Sequence, residues 1–293
     1  IGPAPEGEIS LTWTQGAPID IAQFAMRSGD AALQASGQVD GLADGFPISG
    51  QATLNAGDLA RFAALAGRSL DGAADLELSG NGTPLSGAFD ITLAANTRNL
   101  AIGEARLDPL LRGASSLDLA ARRDETGAYI EGLSLRNDAL EADITGQLNG
   151  DAGAATVSGI LRDLSLVEPK LSGPAQLDTD IRWQSSGALD LALLQITALD
   201  ASISAQGTVN TAAAALPAEG NLALKAEDIS RLAALLGRPL EGRVDLDLTG
   251  SGSLKEASLD GSIALLASQL RTGIGQVDAI TGGYVGLDAS LSY

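Results

Sequence analysis

The 293-residue chain contains no cysteine and no histidine. Disulfides, Cys/His metal centres, cysteine nucleophiles and every histidine-based triad are thereby excluded, and no enzymatic activity is expected. Absence of cysteine fits an oxidising or envelope compartment. Aromatics make up 3% of the residues, although 45% belong to the apolar set. Ordinary enzyme cores fill volume with Phe, Tyr and Trp. Small aliphatics suit a thin, extended core or a smooth apolar channel instead. Cations are scarce: 18 against 37 acidic residues, a formal charge of −19, with only three scattered lysines (Lys170, Lys225, Lys255). Such a field repels nucleic acid and anionic headgroups, so a nucleic-acid partner is not expected. No apolar run approaches 18 residues and no basic-then-apolar leader opens the chain. The sequence is expected to be soluble as given, as a mature product or a piece of something longer.

What is present is repetition. "DLARFAALAGRSLDGAADLELSGNG" (58–82) returns as "DISRLAALLGRPLEGRVDLDLTGSG" (228–252), with 14 of 25 positions identical and an offset of 170. The same offset relates Trp13 to Trp183, Gly37 to Gly207, Gly50 to Gly220, Asp108 to Asp278 and Asp118 to Asp288. The domain expectation is therefore a first repeat unit over 1–170, with a short helix at 58–67, and a second, truncated unit over 171–293, with a short helix at 228–237. So long a period is unlike that of short solenoid units.

Within each unit the prevailing period is two. Val244, Leu246 and Leu248 alternate with Asp245, Asp247 and Thr249; Leu76 and Leu78 alternate with Asp75 and Glu77. Segments of 5–9 residues ending at Gly, Asn or Asp predict half-buried strands joined by tight turns, roughly ten per unit. Three stretches break the alternation. Asp58 can N-cap a helix of two to three turns that presents Leu59 and Phe62 on one face, and Gly67 can close it. Asp228 to Gly237 repeats this with Ile229, Leu232 and Leu236. Arg162–Gly173 is a shortened echo, stopped by Pro169. Helices this short need a sheet to dock on.

No nucleophile elbow, P-loop or dinucleotide fingerprint occurs. "SGNG" (79–82) and "TGSG" (249–252) read as hairpin turns that need positive φ rather than phosphate cradles. The carboxylate pairs Asp75/Glu77 and Asp245/Asp247 lie on one side of a strand and read as solvated charges rather than a catalytic pair. No DxDxDG-type calcium loop is present, and no metal or cofactor is expected. Arg61, Arg68, Arg231 and Arg238 read as solvent-facing helix residues, and Trp13 and Trp183 as strand residues that anchor a core. The apolar strand faces carry most weight. Alternation alone does not separate a filled sandwich core from an open apolar groove; the scarcity of large aromatics favours the groove.

The pattern D-[LI]-x-R-[FL]-A-A-L-x-G-R-x-L-x-G-x-x-D-L-x-L-x-G at 58–80 and 228–250 resembles the periplasmic repeats of the TamB family, among the AsmA-like proteins of Gram-negative envelopes. Residues 107–135 are similar to the segment that follows this motif in alphaproteobacterial members. The resemblance implies a mainly β fold: an elongated curled sheet, open like a taco, with an apolar concave interior and a few short helices. It further implies a periplasmic segment of a protein anchored in the inner membrane by a part outside this chain, and a path for phospholipid acyl chains between the two membranes. It also implies support for outer-membrane and autotransporter assembly with an Omp85-type barrel partner (TamA-like), contacted through regions outside this chain. On that view the groove wall comprises Leu76, Leu78, Ile91, Leu93, Val244, Leu246, Leu248, Ile263 and Leu265. Leu59, Phe62, Ile229 and Leu232 belong to helices that cap it. Each ten-strand block would advance on the order of 50 Å. Two other classes compete: a scaffold or β-edge chaperone without lipid transport, and a closed solenoid with a filled core.

Overall fold

The computed structural model describes residues 5–233, 237–253, 255–256 and 258–292. It is mainly β, with a few short helices, and divides into two compact units, 1–150 and 151–293. The first holds β1 (Glu6–Thr12), β2 (Ile19–Ser28), β3 (Ala31–Val39), β4 (Ile48–Ala56), β5 (Asp71–Thr83), β6 (Ala88–Ala101), β7 (Ala114–Arg123), β8 (Ala128–Asn137) and β9 (Leu140–Asn149). The second holds β10 (Ala152–Leu161), β11 (Ala175–Gln184), β12 (Ala188–Ala198), β13 (Ala201–Asn210), β14 (Pro217–Ala226), β15 (Glu241–Ser253), β16 (Ser258–Arg271) and β17 (Tyr284–Ser292). Among the described residues ten strands thus precede residue 171, and seven follow it. Within each unit every strand pairs antiparallel with the next along the chain, and among the described residues the first and last strands are not paired with each other. In each unit the described strands thus belong to a curled sheet that is not closed. Among the described residues no helix is long and apolar enough to cross a membrane.

Register decides which residues share a face, because residues directly opposite one another point the same way. In the first unit Ile9, Phe24, Ala35, Ala52, Leu78, Leu93, Leu119, Leu133 and Ile144 form one line across all nine strands. A parallel line runs through Met26, Leu33, Leu54, Leu76, Ala95, Leu117, Leu135 and Ala142. Between these lines the carboxylates Glu77, Asp118 and Asp143 take the other face. A one-residue slip would exchange the two sets, so the charges and the aliphatics pin the same register. Two breaks in the alternation are bulges. On β2, Ile21 and Phe24 oppose Gly37 and Ala35; on β12, Leu191 and Leu194 oppose Gly207 and Ala205. The extra residues let a spacing of three keep both apolar side chains on one face.

Several expectations are corrected here. "SGNG" and "TGSG" are not turns: they lie inside β5 and β15. Gly37, Gly50 and Gly80 sit directly opposite one another across β3, β4 and β5, and Gly207, Gly220, Gly250 and Gly261 do the same across β13 to β16. Strands reach 14 residues, longer than the segments marked by their glycines, because a glycine here permits close backbone approach rather than ending the strand. The helix at 58–67 is a 3-10 turn, Leu59–Phe62, followed by one α turn, Ala63–Ala66. The counterpart is described as Ile229–Leu232, and Leu236 lies outside the described residues. Two further helices, Asp108–Leu111 and Gly275–Thr281, interrupt the strands at equivalent places.

The capping chemistry is as expected. Asp58, Asp163 and Asp228 each accept a hydrogen bond from the backbone N–H two residues on, at 2.9, 3.0 and 2.8 Å. Gly67 closes its helix at φ 65. Asp278 accepts from the N–H of Thr272 at 2.7 Å and from its hydroxyl at 2.8 Å. Backbone donation from Ser165, Ser230 and Thr272 holds the carboxyls of Asp163, Asp228 and Asp278 below the ordinary carboxylate range. A pKa lowered by folding contributes stability that is complete above the unfolded value of about 4 and is lost as pH falls through the folded value. The urea midpoint should therefore fall below about pH 4 more steeply in this chain than in a variant carrying Asp163→Asn, Asp228→Asn and Asp278→Asn. The difference between the two profiles is the readout, because acidification also relieves the general repulsion of a −19 chain. Parallel profiles would show that these caps do not titrate with folding.

Candidate apolar groove

Among the described residues no second layer covers the apolar face within its own unit. Among the described residues no side chain is completely buried, and the most enclosed positions are mostly alanines: Ala31, Ala56, Ala74, Ala95, Ala226 and Ala267. Leucines of the same lines stay in reach of solvent; Leu78 is 42% exposed. In a filled core such side chains would be covered.

Over the glycine line of the first unit lies a trough of about 510 Å³. Its floor is Gly37, Gly50 and Gly80, where no side chain rises from the sheet. Its flanks are Ile9, Ile21, Phe24, Val39, Ile48, Leu78, Phe89 and Ile91. The volume falls within the range of about 300–1,000 Å³ usual for ligand clefts. Hydrocarbon lying there would meet aliphatic and aromatic carbon on both sides. A wider depression of about 960 Å³ crosses the middle of β2 to β9, touching Leu78, Leu93, Leu119 and Leu133 but also Gln34, Glu77, Asp118 and Asp143. Its mixed lining makes it a wet surface feature rather than a dry trough. In the second unit the larger cleft, about 950 Å³, has Gln206, Glu219, Asn221 and Asp260 beside its glycines, and a smaller one of about 470 Å³ has Leu189, Val209 and Ala218 beside Asp190 and Glu219.

All nine expected wall residues fall on the apolar faces of their units. Leu78 opposes Leu93, Leu246 opposes Leu265, and Leu248 opposes Ile263. Only Leu78 and Ile91 line the apolar trough, while Leu93 lines the wider depression. Leu76 borders neither. Val244, Leu246, Leu248, Ile263 and Leu265 border neither cleft of the second unit. They are half-buried in lines of neighbouring aliphatics. The trough's other walls, Ile9, Ile21, Phe24, Val39, Ile48 and Phe89, did not stand out by alternation. For Val39 and Ile48 the available signal was the glycine two residues away on the same strand, Gly37 and Gly50.

The short helices close one end of these faces. Ile229 packs with Ala226 and Leu240, and Leu232, Ala201 and Val244 lie against that cluster. The alanine line is what lets the helix approach the sheet closely. Leu59 and Phe62 are likewise half-buried, next to β5. Arg61 and Arg231 are not idle on the helix surface, as their positions had suggested. Arg61 reaches Asp30 at 3.0 Å and Arg231 reaches Asp200 at 3.1 Å, each tying its helix to the tip of a hairpin. Arg68 donates to the carbonyl of Ile102 at 2.9 Å. These pairs are solvent-exposed and contribute less than about 1 kcal/mol each, so they orient the helix more than they hold it. One of the two tryptophans also departs from expectation. Trp183 is half-buried on β11 with its ring over Gly153, but Trp13 lies beyond the end of β1 and is 65% exposed.

The carboxylate pairs do not converge on a site. Asp75, Glu77 and Asp247 are exposed on the polar faces, and no group of three or more metal-capable side chains gathers among the described residues. The chain matches no family model, no curated protein and no solved structure.

Proposed function

We propose that this chain is a periplasmic segment of a TamB-like protein whose apolar β-groove carries phospholipid acyl chains between the inner and outer membranes and supports outer-membrane and autotransporter assembly. The observation that carries this reading is the trough over Gly37, Gly50 and Gly80: aliphatic and aromatic on its flanks and unfilled by the protein's own side chains. Each acyl methylene moved from water into such a trough gains about 0.8 kcal/mol. The headgroup stays in water, and acidic residues on the opposite face keep the outside of the sheet soluble. The helices at 59–66 and 229–232 cap the alanine end of each face, so the acyl path runs toward the glycine line. On this reading the membrane anchor and the contacts with an Omp85-type barrel belong to parts of the protein outside this chain.

The test is mass spectrometry of the chain purified without detergent from a Gram-negative host. Diacyl phospholipid is expected in the native preparation. A photo-crosslinking residue at Ile91 should capture it, and the same residue at Asp90, exposed on the opposite face, should not. A lipid-free preparation in which neither position captures an added photoreactive phospholipid would overturn the reading.

A further inference from the structure

We propose that the outer edge of β1 is a docking site for one more antiparallel strand with the chemistry of β10, seated so that a glycine faces Trp13. The proposal rests on the internal repeat and does not depend on what the groove carries.

The offset of 170 places β1 on β11. The two strands share their inner pairing in detail. Ile9 opposes Phe24 as Thr179 opposes Leu194, Leu11 opposes Ile21 as Ile181 opposes Leu191, and both pairs shift register at the same point, Ser10/Leu11 and Asp180/Ile181. Their outer edges differ. On β11 that edge is taken by β10 over ten residue pairs, with Gly153 opposite Trp183, Ala155 opposite Ile181, Val157 opposite Thr179 and Gly159 opposite Leu177. On β1 the pairing described is with β2 alone, and every residue of the strand is exposed.

The contrast between the tryptophans follows. Trp183 continues β11 and rests on Gly153, where a Cβ would overlap the indole. β1 stops at Thr12, one residue short of Trp13, which is left 65% exposed, beside Ile9 at 58% and Leu11 at 55%. A free edge with three large apolar side chains on one face is a template for strand addition. The repeat specifies the occupant: residues like Ala155, Val157 and Gly159 on the groove side, residues like Ala154, Thr156 and Ser158 on the other, and glycine at the position facing the tryptophan.

The probe is a blocked peptide of sequence AGAATVSGIL, residues 152–161, added to the full chain carrying Trp183→Phe, so that Trp13 is the only tryptophan. Its emission should shift to the blue, saturably, and amide exchange should slow across residues 7–12. A peptide with valine in place of its first glycine should bind about tenfold more weakly or worse, because the indole then meets a branched side chain. The proposal is overturned if the emission and exchange do not change at millimolar peptide, or if the valine peptide binds equally well. Concentration-dependent dimerisation that covers Trp13 without peptide would also overturn it, since the occupant would then be a second copy.

Discussion

A chain carrying Leu78→Asp and Ile91→Asp should retain at least about tenfold less phospholipid than the unaltered chain, while keeping its sheet content. The two residues flank the trough on β5 and β6, and Leu78 has 42% of its surface exposed. Fully burying a leucine or isoleucine is worth about 1.5–3 kcal/mol, and half-burial by a guest chain roughly half of that. Two such losses already exceed the 1.4 kcal/mol of a tenfold change, before the cost of bringing carboxylates against hydrocarbon. Because Leu78 is exposed without a guest, its replacement opens no buried cavity, and lipid retention separates from folding. The matched control is Ser79→Asp with Thr92→Asp. These residues oppose one another on the same two strands, their hydroxyls 2.7 Å apart, on the other face. Retention should be unchanged in that control, and an equal loss in both variants would remove the apolar face from the mechanism.

The largest effect on stability is expected at Gly80. Gly80→Val should lower the stability of the chain by about 3 kcal/mol or more, read as a fall in the urea midpoint. The backbone there has φ of 155, which side chains rarely adopt, and a Cβ would meet the carbonyl oxygen of Asp90 and lie 2.9 Å from the Cα of Ile91. Both obstacles are backbone of the neighbouring strand, which cannot swing aside without breaking the ladder. Valine adds a branched carbon to that clash and would also fill the trough floor. Asn81→Val, one residue on and exposed on the polar face, should change stability by no more than about 0.5 kcal/mol. A native midpoint in the Gly80 variant would show that the close approach at the glycine line is not required.

These two positions mark the limit of what alternation reveals. Leu78 was legible because a strand has period two whatever surrounds it: Asp75 and Glu77 must face away from Leu76 and Leu78 on any extended backbone. Gly80 was not. A glycine followed by Asn81 and Gly82 has the composition of a hairpin turn, and nothing local distinguishes a turn from a strand interior. The difference lies in Gly50 and Ile91, which are far away in sequence and become neighbours only through register. Trp13 failed for a related reason. It occupies the same place in the repeat as Trp183, but half-burial requires a strand on the outer edge, which β10 supplies to β11. Arg61 is a third case. Helical periodicity placed it outward, correctly, and its partner Asp30 arrives on a hairpin tip that no local pattern connects to the helix.

The duplication is read by comparing distant segments directly; the mainly β character, the alternating aliphatics and the aspartate caps follow from local rules of backbone geometry and hydrogen bonding, which act over a few residues and can be read from them. The trough itself follows from pairing between strands. Glycines scattered at 37, 50 and 80 become one floor, and Ile9, Phe24 and Phe89 become its flanks, only when hairpin lengths and bulges bring those strands into line. Side-chain volume missing along that line leaves a space, and no single strand contains enough of it to announce one.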